Sequence, residues 1–185
     1  MKGNTNMEKS WFKSALKAEW ITLLFIVLCT IGFLFKDSIP HNFFTASFMH
    51  ASRAHYTGNI MLFLLLSPLV EEKYGKINYL CAWFFTAIVE YSFHTYVLHV
   101  HAIGISVWIF ALMCMNIGRL KITGIILIGI YSIQEISGMF DNDTVSHAGH
   151  MLGIVTGSLY ALIYNKICSK MENYHEEDET SEFQI

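Results

Sequence analysis

The chain has 185 residues, 54% of them hydrophobic and only 15% charged, where a soluble domain of this size carries about 25% charged residues. So little charge excludes a mostly water-facing surface and points to a protein embedded in a lipid bilayer. The net charge of −3 resides largely in acids near the C-terminus, and no basic patch offsets them, so nucleic acid is not expected as a partner.

Residues 1–17 carry Lys2, Lys9, Lys13 and Lys17 and read as a cytoplasmic lead-in. They contain no cleavable signal, so the apolar run behind them is expected to stay as a signal-anchor. Six apolar runs follow, at about 18–35, 54–70, 77–93, 104–118, 122–136 and 147–164. Residues 18–165 are therefore expected to form an all-α, polytopic bundle of six transmembrane helices. Between the runs lie a connector from Lys36 to Arg53, a turn at 71–76, a histidine-rich loop at 94–103, a tight turn at Arg119–Lys121, and an acidic loop at 137–146. Residues 166–185, with Glu172, Glu176, Glu177, Asp178, Glu179 and Glu182, are expected to be a disordered acidic tail. Several runs are shorter than the ~20 residues that span a bilayer comfortably, which calls for local thinning or shielding by neighbours. Cys29, Cys81, Cys114 and Cys168 stand far apart and suggest neither a disulfide nor a thiolate metal site.

Lysine and arginine set the orientation. With six spans, every one of them except Lys36 and Arg53 falls on the side of the N-terminus. Both termini are thus expected in the cytoplasm. Lysine-heavy, arginine-poor usage points to a bacterial plasma membrane.

That orientation sends the second, fourth and sixth runs from outside to inside, so their first residues share the outer half of the bilayer. His50, His55 and Asn59 open the second run, Ser106 the fourth, and His147 and His150 the sixth. Polar side chains at membrane depth are costly unless paired, so their convergence marks a candidate site. Gly149, Gly153 and Gly157 recur every four residues and allow another helix close approach. Gly104 presents a small surface beside Ser106. Packing along that stripe brings a hydroxyl to an imidazole, and a serine needs such a base to become a nucleophile. His150 fits the glycine spacing, with His147 as the alternative base. His55 and Asn59 share a helical face and can stabilise an oxyanion. His50 is expected to brace the connector, Glu90 and Glu135 to make structural hydrogen bonds, and His94, His99 and His101 to be loop histidines.

These pieces carry a resemblance. Phe48-Met49-His50, His55-x-x-x-Asn59, Glu71-x-x-x-Gly75, Gly104-Ile105-Ser106-Val107 and His150-x-x-Gly153-x-x-x-Gly157, in order from about Phe44 to Tyr160, make the chain similar to the rhomboid intramembrane serine proteases. The resemblance implies a serine endopeptidase with Ser106 as nucleophile and His150 as base, a dyad without a carboxylate partner. It implies an oxyanion hole of Asn59, His55 and the Ser106 N–H, and an aromatic ring at Phe110 stacked on the imidazole. Glu71 would brace the inner end of the second span. Substrates would be single-pass transmembrane proteins cut within the bilayer, with the fifth span and the 137–146 loop as gate and cap. No cofactor and no metal are implied, and oligomeric state is left open. Val107 and Cys114 replace glycines common in the family, and the connector lacks a Trp-Arg pair many members carry. Those departures motivate a second reading, a non-proteolytic relative that binds transmembrane helices. The outer histidines motivate a third, a metal-dependent membrane hydrolase.

Overall fold

The structure, a computed structural model, describes residues 19–101, 103–138 and 146–182. Most of the 137–146 loop, the lead-in at 1–17 and the last three residues lie outside the described residues. The chain is all-α: α1 (Trp20–Leu34), α2 (Phe43–Ala46), α3 (Arg53–Phe93), a π-helical turn (His94–Leu98), α4 (Ser106–Met115), α5 (Ile117–Gly138) and α6 (His147–Glu182). In lipid only internally satisfied backbones are tolerated, and helices meet that demand within one segment. By length and composition, one helix among the described residues can cross a membrane, His147–Met171; Trp20–Leu34, Ser106–Met115 and Ile122–Gly138 are shorter apolar helices.

α3 is two arms joined at Gly75, whose φ of 75° and ψ of 163° break the helix. Only glycine takes such a conformation cheaply. The arms fold back on each other. Ser67 Oγ and Tyr79 OH are 2.6 Å apart, whereas twelve residues of straight helix would separate them by roughly 18 Å. That contact belongs to a buried polar chain. Glu71 accepts from the Ile21 and Thr22 amides (3.3 and 3.0 Å) and from the Thr22 hydroxyl (2.9 Å). Thr22 Oγ1 meets Ser67 Oγ at 2.7 Å, and Trp108 Nε1 donates to Tyr79 OH at 3.2 Å. The chain ties α1, both arms of α3 and α4 together, with each polar group partnered as a membrane interior requires. Glu71 therefore caps the start of α1 as well as standing near the end of the first α3 arm, four residues before Gly75.

α4 is the centre of the bundle. Every side chain from Val107 to Met115 is buried, as expected of a helix apolar all round. Beside it Phe25, Phe48, Phe63, Tyr79 and Trp83 pack edge-on, stacked or tilted, with ring centres 5.1–6.0 Å apart. α5 contrasts with α4, since Ile122, Ile125, Ile126, Ile130, Ile133 and Ile136 are all exposed.

Two expectations are corrected. The tight turn falls at Asn116 and not at Arg119–Lys121, which lie inside α5. Asn116 holds the turn because its Nδ2 donates to the Leu66 carbonyl at 3.1 Å, while Lys73 and Tyr74 donate to the Met115 carbonyl. The tail after Asn165 continues as helix to Glu182. Between Ser158 and Glu182 the sequence has no glycine or proline to stop it.

Candidate active site

Three chain segments build the site. The first is the start of α4. Gly104 sits at φ +119°, its N–H donates to the Ala46 carbonyl at 2.9 Å, and Ser106 follows as the first residue of α4. An amide at that position has no carbonyl partner within its own helix, so the Ser106 N–H is available to a ligand. The second is the start of α6, where Ser146 caps the helix by accepting from the Gly149 N–H at 3.3 Å. Capping at Ser146 puts His147 and His150 in the first turn. The third is the start of α3, where Ser52 accepts from the His55 N–H at 3.1 Å and so fixes the turn that carries His55 and Asn59.

Glycine sets the spacing between the first two. A β-carbon on Gly153 would overlap the Val107 carbonyl, and one on Gly157 would overlap the Ala111 carbonyl. The two helices are in backbone contact there. As a result His150 Nε2 lies 3.0 Å from Ser106 Oγ. Phe110 stacks on the His150 ring, with centres 4.5 Å apart and planes 17° from parallel. Tyr131 of α5 holds Phe110 from its edge at 5.8 Å. Val107, in place of a glycine, is buried with its carbonyl against Gly153, and the Ser106–His150 contact is kept.

His55 and Asn59 lie over Gly104. A β-carbon there would come within 2.8 Å of the His55 ring and 3.5 Å of Asn59 Nδ2. Asn59 Nδ2 is buried and has no hydrogen-bond acceptor among the described residues. An unpaired buried donor is costly, and this one lies beside Gly104, two residues before Ser106. His50, wholly buried, donates from Nδ1 to the Phe48 carbonyl at 3.1 Å and meets the His55 ring edge-on at 5.1 Å. Burial, then the nearby His55, pushes the His50 pKa down to about 4, so it is neutral at physiological pH and braces the connector.

The resemblance implies a dyad without a carboxylate partner, and in the structure a carboxylate stands beside both histidines of α6. Glu135, 8% exposed on α5, places Oε2 2.6 Å from His147 Nδ1 and 2.8 Å from His150 Nδ1. The His147 contact is an aligned hydrogen bond. The His150 contact is close but lies off the ring's N–H axis, so that Nδ1 makes no aligned bond. α5 comes this near because Gly138 is bare, as a β-carbon there would fall on the His147 ring. The signal for Glu135 was one acid in an apolar run, though spacing alone cannot say which neighbour it faces. His147 is thereby a partner of Glu135, and His150 is the histidine that meets the serine.

The loop histidines do not gather. His94 is buried, donates from Nδ1 to the Glu90 carbonyl at 2.9 Å, and accepts from the Ser146 hydroxyl at Nε2. His99 is exposed in left-handed backbone, and His101 stacks edge-on against His41 at 4.7 Å.

A helical membrane protein with a serine–imidazole contact between glycine-packed helices is a narrow class. The rhomboid domain model matches residues 37–167. The chain belongs to the rhomboid family. It is also similar to Rhomboid-like protein 11, chloroplastic, from Arabidopsis thaliana, at 23% identity over 151 residues, covering 70% of this chain and 54% of the relative. The chain thus spans about half the length of the curated relative it matches.

Proposed function

We propose that the chain is an intramembrane serine endopeptidase that cleaves single-pass transmembrane proteins. The observation that carries the reading is the 3.0 Å approach of His150 Nε2 to Ser106 Oγ under the stacked Phe110 ring. Ser106 acts as nucleophile and gives its proton to Nε2. His150 then passes that proton to the leaving amine, and water hydrolyses the acyl-enzyme. The Ser106 N–H, Asn59 Nδ2 and His55 stabilise the oxyanion, and one such donor is worth about 3 kcal/mol. Glu135 is a positioning residue. Its carboxylate, 2.8 Å from His150 Nδ1, favours by its charge a proton on that nitrogen and so the tautomer with a free lone pair on Nε2. No cofactor takes part in these steps.

The membrane domain comprises residues 18–165 as six spans, with the arms of α3 as the second and third. Residues 1–17 lead in from the cytoplasm and 166–182 extend α6 on the same side, in a bacterial plasma membrane. Distribution of lysine and arginine supports that topology. A second reading, a non-proteolytic binder of transmembrane helices, draws support from Val107 and the short connector.

The test uses the full chain in detergent with a single-pass substrate and a fluorophosphonate probe. Cleavage and labelling are expected, both lost in Ser106→Ala, with cleavage also lost in His150→Ala. Cleavage that survives either substitution overturns the protease reading. Failure of Ser106 to label favours the binder.

A further inference from the structure

Glu135, His147 and His150 form a second constellation on the outer side of the serine. Their donor atoms, one carboxylate oxygen and two Nδ1 nitrogens, lie within 4.8 Å of one another. The side chains keep 11%, 14% and 12% exposure respectively, so the cluster is enclosed without being sealed. Two imidazoles and a carboxylate are the donor set of open zinc sites, whose fourth position is left to water. Ligands about 2 Å from a tetrahedral ion stand roughly 3.3 Å from each other. From 2.6 and 2.8 Å, this requires each imidazole to retreat by a rotamer-scale adjustment. The misaligned His150 Nδ1, buried beside the carboxylate without an aligned bond, is a ligand atom not committed to another partner.

We propose that these three residues are a reversible site for a zinc-class divalent cation and that its occupancy switches the serine off; the second half rests on the protease reading above. The switch follows from the tautomers of imidazole. A neutral ring that gives its Nδ1 lone pair to a metal carries its proton on Nε2. On His150 that nitrogen faces Ser106 Oγ. The ring then donates to the hydroxyl where catalysis needs it to accept, and the nucleophile has no base. No net proton is gained or lost, since the N–H moves from Nδ1 to Nε2. Glu135 is turned from orienting the base to ligating the ion, so one event removes both supports. Borderline nitrogen ligands favour zinc over magnesium or calcium, which take oxygen.

Binding is tested on the full-length Ser106→Ala protein, which needs no protease activity. Cobalt(II) is added as a spectroscopic probe and zinc is titrated by calorimetry. One equivalent of zinc is expected, with a tetrahedral cobalt absorption that zinc displaces. Glu135→Gln and His147→Ala should each weaken zinc by at least about tenfold; either variant suffices if the other fails to fold. Undiminished binding in both, or no binding up to millimolar zinc, overturns the site. On the active protein, zinc should inhibit cleavage, a chelator should restore it, and the ratio of inhibited to free rate should rise towards one in His147→Ala. Binding without inhibition overturns the switch. Metal binding in a wild-type protein that cleaves nothing leaves the site standing and sinks the protease reading instead. Cleavage without metal binding does the reverse.

Discussion

The seam between α4 and α6 and the flank of α5 are built on opposite principles. Along the seam, Gly153 and Gly157 let backbone touch backbone, and no side chain from Val107 to Met115 reaches the surface. Along α5, a row of isoleucines from Ile122 to Ile136 is exposed, and the helix meets the site through Tyr131, Glu135 and Gly138. The lesson concerns precision. Ser106 and His150 are held to hydrogen-bond distance by backbone contacts that have no rotamers to relax. The carboxylate beside that imidazole sits on a helix with an exposed flank. The Ser106–His150 contact is thus set by the α4–α6 seam, and the Glu135–His150 contact by how α5 packs beside it.

The largest effect should come from filling the seam. Gly153→Leu forces side-chain carbons into the Val107 carbonyl. Overpacking costs about 1–3 kcal/mol even where side chains can yield, and backbone cannot. Loss of cleavage together with a lowered melting temperature is expected. Ile133→Ala on the exposed face of α5, 69% accessible, should move stability by no more than about 0.5 kcal/mol. Equal effects of the two would erase the distinction.

The next effect sharpens the role of α5. Glu135→Gln should lower kcat by about tenfold to a hundredfold with KM nearly unchanged, in the range ascribed to support of a general base. Glu135→Asp should recover part of the loss. A fall confined to KM, or a change only in melting temperature, would make Glu135 a structural residue.

The smallest effect concerns the connector, which belongs to neither region. His50 takes up its proton near 6.5 when unfolded and only near about 4 in the fold. Between those values the unfolded chain binds more protons, so stability declines as pH falls from 6.5 to 4 and is fully present above that window. Melting temperatures in detergent should follow this slope, and His50→Asn should flatten it.

The seam was legible in the sequence because it is written in spacing. Glycines every four residues, polar residues at the start of the second, fourth and sixth apolar runs and an asymmetric distribution of lysine all survive without coordinates. Ser106, His150, Gly153 and Phe110 follow from these and from the family pattern. Glu135 did not follow. A lone acid in an apolar helix has many ways to be satisfied, and its choice of His147 and His150 depends on how α5 leans against α6. The position of the turn at Asn116 was hidden for a related reason, since its amide is fixed by the Leu66 carbonyl fifty residues away. Charged residues at 119 and 121 give a stronger local signal than that remote acceptor. The helical tail was missed because acidic composition was weighed above the absence of any helix-breaking residue.

The carboxylate of Glu71 carries a consequence for biogenesis. The opening amides of α1 are satisfied by a group 49 and 50 residues further along the chain. A ribosome delivers the first helix well before it delivers that acceptor. Until then headgroups and water must serve those amides, and the helix has no reason to settle at its final depth. The opening amides of α1 thus gain this acceptor only when residue 71 arrives, which couples α1 to the first arm of α3.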